Sequence, residues 1–148
     1  MTNFSSVIVE AAGEERILNV RPDPPDMRDR MYEPALVQLR SKLDNRALGN
    51  PLNQGKEGAC TGFGLAAVIN ILNKSRNNAF QASPRMLYEM AQRNDRWPGQ
   101  DYSGSSCRGA IQGWKNMGVC SEEDWPYEAN TPGHLTVERA WKLRLQKK

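Results

Sequence analysis

The longest apolar stretch of the chain runs from Gly64 to Leu72, inside a segment, Ala59 to Lys74, that reads as its strongest helix. Phe63, Leu65, Val68, Ile69, Ile71 and Leu72 cover nearly all sides of that helix, with Ala66 and Ala67 between them. A helix apolar all round belongs in the middle of a domain, so this one is expected to be the buried central helix. Gly62 and Gly64 lower helix propensity, which implies another backbone packed close against the first turn. Lys74 and Arg76 suit the C-terminal end, and Asn77-Asn78 can stop the helix.

Further along, Ser83-Pro84 has the chemistry of a helix start, Ser as N-cap and Pro at the first helical position. Met86, Leu87 and Met90 fall on one face of that helix, which should end near Arg93. A loop follows over Asn94 to Gly104. Ser105 or Ser106 then opens a third helix, with Gly118 as its stop signal. Ser121 to Asp124 has capping-box spacing and should hold one short turn. Glu138 to Leu145 predicts a last amphipathic helix.

Upstream the pattern is weaker. Residues 1–21 read as a polar leader or extended segment with short apolar runs at Val7–Val9 and Ile17–Val20. The prolines of Arg21-Pro22-Asp23-Pro24-Pro25-Asp26 bias their predecessors away from helix, making an extended connector. Asp26 to Leu43 is half-helical at best, broken by Pro34, and Asn45 to Gly58 is loop. A single domain over residues 22–148 follows.

Composition changes this picture little. A chain of 148 residues, 39% apolar and 25% charged, can bury a core. A net charge of +3 without an aromatic ladder argues against nucleic acid, and the basic end near Lys148 reads as a solvated helix face. No segment is long and apolar enough for a signal peptide or a membrane span. Cys60, Cys107 and Cys120 are an odd set; Cys107 and Cys120 could pair, but no disulfide framework is evident. One His and no CxxC spacing leave no zinc site, and no cofactor is expected. The expected compartment is the cytoplasm.

Cys60 supplies the candidate chemistry. It stands where a loop becomes a helix, in Asn53-Gln54-Gly55-Lys56-Glu57-Gly58-Ala59-Cys60-Thr61-Gly62-Phe63. The unpaired N–H groups and the positive dipole end of a helix start favour an anion, so a thiolate there is stabilised and nucleophilic. The Gln54 side-chain amide could donate to a developing oxyanion at the same spot. The alternatives are a small core cysteine and a glutamine that merely stabilises its loop.

These residues carry a family likeness. Gln54-Gly55-x-x-Gly58-Ala59-Cys60 resembles the oxyanion-glutamine and nucleophile segment of the papain-like cysteine peptidases. Pro25-Asp26-Met27-Arg28-Asp29 is similar to the start of the mature enzyme in that family, and Gly104-Ser105 to Trp114 to its glycine-bearing segment along the substrate cleft. Gly118-Val119 leading to Trp125-Pro126-Tyr127-Glu128 looks like its turn after the third helix. The landmarks keep the family's order over roughly residues 22–130. The resemblance implies an α+β papain-like fold of two lobes, of which this chain is the mostly α-helical one around its central helix. It further implies Cys60 as nucleophile, Gln54 as oxyanion donor, and Gly104 and Ser105 as substrate-binding residues. Ser105 is equally well read as a helix N-cap, and Trp114 and Trp125 as residues near the lobe core.

The departures are specific. Glu57 stands where secreted members carry a disulfide cysteine, and Thr61 where they carry an aromatic; both suit a cytosolic, bacterial branch. The family's His and Asn lie about 130–150 residues beyond the nucleophile, past Lys148, so the β-rich lobe that carries them is missing. His134, 74 residues from Cys60, reads as a surface turn histidine. The expectation is a peptide-hydrolysing thiol site, inactive until a His/Asn-bearing lobe completes it, with peptide or protein as substrate. A bare lobe face would drive self-association or binding of a second polypeptide. A non-catalytic peptide-binding module on the same fold is the alternative, and an amidase or acyltransferase is a further one.

Overall fold

The computed structural model describes residues 7–11, 13–18, 23, 25–31, 33, 35–36, 38, 41–42, 51–95 and 104–128. In chain order these form strands β1 (Val7–Ala11) and β2 (Glu14–Leu18) and helices α1 (Cys60–Ser75), α2 (Pro84–Asn94) and α3 (Cys107–Met117). The helical part is a small three-helix body. The expected helix over 138–145, together with His134, Trp97 and Trp141, lies outside the described residues.

The strands pair antiparallel, Val7 opposite Leu18 through Ala11 opposite Glu14, across a turn where Gly13 has φ +76. The two short apolar runs of the amino-terminal segment therefore meet in a hairpin that their sequence did not announce. Its periodicity is too short to separate from chance: five residues per strand give only two or three alternations.

Most helix ends are set by local bonds. Ser83 caps α2 by accepting the Met86 N–H at 3.1 Å, with Pro84 in the first turn. Ser106 caps α3 by accepting the Gly109 N–H at 2.8 Å. Gly118 ends α3 with φ 75, where its N–H donates to the Trp114 carbonyl at 2.7 Å. Asn77 ends α1 with φ 57, while Asn77 N–H and Asn78 N–H donate to the carbonyls of Lys74 and Asn73. Ser121 and Asp124 hold the expected short turn, Asp124 N–H donating to Ser121 Oγ at 3.2 Å and that hydroxyl donating to Asp124 Oδ2 at 2.8 Å.

The central helix is α2 rather than α1. Pro84, Arg85, Met86, Leu87, Tyr88, Met90 and Ala91 are all buried, and α2 packs on both α1 and α3. Helix α1 buries only the face carrying Gly62, Phe63, Ala66, Ile69 and Asn70. Its opposite stripe, Gly64, Val68 and Leu72, is exposed, with Val68 at 53% and Leu72 at 47%. Trp125 is buried as expected, but Trp114 is 40% exposed, on the outer side of α3.

Three side-chain clusters fill the interior. Ala66, Ile69, Ala82 and Leu87 join α1 to α2; Met86, Met90, Cys120 and Trp125 join α2 to the segment after α3. Ala59, Phe63 and Tyr88, with Tyr127 against them, close the end nearest Cys60. Two buried side chains make hydrogen bonds across the core. Asn70 Oδ1 accepts the Ala82 N–H at 2.7 Å, and Ser83 Oγ donates to the Trp125 carbonyl at 2.6 Å. The first ties α1 to the residues leading into α2, and the second ties the start of α2 to the segment after α3.

Gly62 is where α2 presses on α1. A Cβ there would stand 2.7 Å from the Pro84 carbonyl oxygen and 2.8 Å from Tyr88 N, whereas one at Gly64 meets nothing within 4 Å. The expected close approach is thus real at the first glycine only. Gly62→Ala should destabilise the chain by about 1–3 kcal/mol through overpacking against backbone. Gly64→Ala should be neutral or stabilising by about 0.5–1 kcal/mol. Urea unfolding of the two variants side by side checks both, and equal effects would reject the packing account.

Candidate thiol site

Cys60 is the first residue of α1 and is exposed to solvent. Ala59 precedes it as cap residue, no side chain caps the helix, and its first turn holds no acidic residue. The orphan N–H groups and the positive dipole end at this terminus are therefore left for an anion at or beside the sulfur. Side chains at the start of α3 make the contrast. There Asp23 Oδ2 accepts the Arg108 N–H at 3.0 Å, the Asp95 carboxylate accepts the Ser106 N–H at 3.1 Å, and Ser106 supplies the cap. That helix start is already satisfied.

Cys107 is the first residue of α3 and is exposed. Partial burial, then the Asp23 carboxylate and Cys60, push its thiol up. Cys120 is fully buried and burial pushes its thiol up to about 11. All three cysteines are free, so no Cys107–Cys120 disulfide forms. Three thiols of one chain thus occupy three environments.

Gln54 turns its amide onto its own loop, with Nε2 donating to the Glu57 carbonyl at 3.0 Å. The same carbonyl accepts the Ala59 N–H at 2.8 Å, one residue before Cys60. An amide nitrogen carries two N–H groups, and one of them makes this bond. Loop stabilisation is thus an observed role of Gln54, within the turn that delivers the cysteine.

Gly104 and Ser105 come to the same end of the body. Tyr88 Oη accepts the Gly104 N–H at 3.0 Å, and Gln92 Nε2 donates to the Gly104 carbonyl at 3.3 Å. The Ser105 hydroxyl is hydrogen-bonded to the Thr61 hydroxyl, next to Cys60. Helix capping of α3 falls to Ser106, leaving Ser105 beside the thiol segment. Ser105 thus meets the residue after Cys60 and Gly104 is held on α2, while the Gln54 amide bonds within its own loop.

The group that holds this end together is one the sequence reading passed over. Arg85, whose side chain is 1% exposed, pairs with both oxygens of Glu57 at 2.8 and 2.7 Å. It also meets Glu89 at 3.4 Å, donates to the Glu128 carbonyl, and lies 4.6 Å from the Tyr127 ring centroid. Tyr127 Oη lies 2.7 Å from both Glu57 Oε2 and the Gln54 carbonyl oxygen, its single proton shared between these two acceptors. Burial alone would weaken the Arg85 charge, but the hydrogen bonds and charge of Glu57, with the charge of Glu89, more than offset it. Burial and the bond to Glu57 push the Tyr127 hydroxyl up, so it remains a donor. Glu57 thus stands in a buried ion pair where the family resemblance points to a lost disulfide. An Arg at the second position of a helix otherwise rich in buried residues was the signal available.

On the outer side, Arg108 makes a two-bonded pair with Asp29 at 2.8 and 2.9 Å. The Arg108 guanidinium beside Asp29 holds that carboxyl below the usual range. Asp26 accepts from Arg28 N and Nε at 2.9 Å, so the Pro25–Asp29 segment is a turn docked on α3 and not part of a helix. Among the described residues no group of His, Cys, Asp or Glu is placed to hold a metal ion, and no helix is long and apolar enough to cross a membrane.

Removing one partner of a buried ion pair leaves the other charged and unsolvated. Glu57→Ala should therefore cost about 3–5 kcal/mol. Removing both charges together in Glu57→Leu with Arg85→Met should recover much of that loss. A double-mutant cycle by urea unfolding measures the difference, and strict additivity would reject the pair as the hub.

Comparison with known protein families, with curated proteins and with solved structures finds no match to this chain.

Proposed function

We propose that the chain carries the thiol-nucleophile half of a papain-like cysteine peptidase site, and that it hydrolyses peptide bonds once a His- and Asn-bearing lobe completes it. The observation that carries this reading is the pairing of an exposed Cys60 with a helix start that no side chain caps. Cys107 has the same helical position without that open terminus. In the proposed reaction the Cys60 thiolate attacks the peptide carbonyl. The Cys60 backbone N–H and the second N–H of the Gln54 amide stabilise the oxyanion. Collapse to the thioester requires a proton for the leaving amine, which an imidazolium on the completing lobe supplies. Water then hydrolyses the thioester, and Gly104 and Ser105 line the side of the cleft where the peptide lies.

The exposed stripe Gly64, Val68 and Leu72 supports the same reading, because it is an apolar helix face open to a complementary polypeptide or a second copy of this chain. Sedimentation of the chain at rising concentration should show self-association, weakened by Val68→Glu. A strictly monomeric chain that also ignores any second-lobe polypeptide would remove this part of the proposal.

The central test is selective labelling. At neutral pH a peptidyl chloromethyl ketone should alkylate Cys60 first. Cys107 should lag, because its thiol is pushed up, and Cys120 should react only on unfolding or as pH rises toward about 11. The chain alone should turn over no peptide. Hydrolysis should appear on adding a polypeptide that bears the His and Asn, and Gln54→Ala should then lower turnover by about 10²–10³-fold. Equal labelling of Cys60 and Cys107 with no preference for the peptidyl reagent would overturn the nucleophile assignment.

A further inference from the structure

We propose that Cys60 and Cys107 form a reversible disulfide when the chain meets a hydroperoxide, which switches the nucleophile off and shields it from irreversible oxidation. The two residues open α1 and α3 and both are exposed. The hydroxyl contact between Thr61 and Ser105 pins those two helix starts together, one residue from Cys60 and two from Cys107. A disulfide needs its two Cα atoms within about 7 Å. Ser and Thr side chains reach only one bond past Cβ, so their direct contact brings the backbones at Thr61 and Ser105 close, with Cys60 and Cys107 one and two residues along from them. The thiols also sense one another, since Cys60 is among the causes that push Cys107 up, after partial burial and the Asp23 carboxylate. Cys120 takes no part, being fully buried on the far side of α2 with Met86, Met90 and Trp125.

The chemistry balances with a hydroperoxide as the only oxidant. The Cys60 thiolate attacks the peroxide oxygen, an S–O bond forms, the O–O bond breaks, and the leaving oxygen takes a proton to become water or an alcohol. Cys60 is now a sulfenic acid, oxidised by two electrons, and the peroxide is reduced by two. The Cys107 thiolate then attacks the Cys60 sulfur; the S–S bond forms, the S–O bond breaks, and hydroxide leaves as water with the proton that Cys107 released.

The inference rests on Cys60 as the reactive thiol of the proposed function, and it needs no peptide substrate. Its test treats the full chain with stoichiometric hydrogen peroxide, blocks remaining thiols with iodoacetamide, and maps non-reduced peptides by mass spectrometry. The expected result is a Cys60–Cys107 cross-linked pair within one chain, loss of alkylation at both residues, unchanged Cys120, and full return on adding dithiothreitol. Cys107→Ser should leave Cys60 as a dimedone-reactive sulfenic acid that passes on to an irreversible sulfinic acid. Oxidation of Cys60 with Cys107 still alkylated, or a disulfide only between chains, would overturn the switch while leaving the nucleophile reading intact. A Cys60 inert to both peroxide and iodoacetamide would overturn both.

Discussion

Arg85 lies on the innermost helix of a small body and is almost wholly removed from water. A guanidinium in that position is stable only if acidic and carbonyl oxygens close around it. Those oxygens come from Glu57 in the loop before α1, from Glu89 one turn along α2, and from the Glu128 carbonyl after α3. One buried charge therefore obliges three separate parts of the chain to converge. Tyr127 completes the arrangement, because its ring stacks on Phe63 edge-to-face while its hydroxyl reaches both Glu57 and the Gln54 carbonyl. The turn that delivers Cys60 inherits its position from this cluster, since Glu57 and Ala59 belong to both.

That dependence explains which parts of the structure were legible in advance. Local chemistry was read well: Ser83, Ser106, Gly118 and the Asn77-Asn78 stop act through bonds to their own helix ends, which a few neighbouring residues determine. The choice of central helix was not, because hydropathy ranks α1 above α2. Helix α2 carries Arg85, Tyr88 and Glu89 inward and still buries itself, since Arg85 pairs with Glu57 and Glu89 and the Tyr88 hydroxyl accepts the Gly104 N–H. Helix α1 has more apolar residues than its neighbours cover, so Val68 and Leu72 are exposed. Pairing of polar groups between distant segments decides burial here, and a periodicity argument has no access to it.

The candidate residues could be named from the sequence, whereas the contacts around them could not. Cys60 and Gln54 stand out because they share one short loop, and Gly104 with Ser105 because a glycine-bearing turn precedes a helix. The contacts that unite them run through Tyr88, Gln92 and Thr61, none of which has a chemical signature of its own. The first N–H of the Gln54 amide is spent on Glu57, a detail that only the folded loop discloses. Motif reading names candidate groups and misses the inert ones around them.

Position at a helix start does not by itself make a cysteine reactive, and this chain contains its own control. Cys60 and Cys107 are each the first residue of a helix, and both meet solvent. Carboxylates from Asp23 and Asp95 already occupy the terminus beneath Cys107, so the partial positive charge there is cancelled and a second anion is opposed. Ala59 offers α1 no such side chain, so the corresponding charge stays available. The decisive variable is what else has been bonded to the helix end. Asp23 and Asp95, bonded at the start of α3, oppose an anion at Cys107, whereas the first turn of α1 carries no acidic residue, and the proposed nucleophilic role of Cys60 rests on that difference.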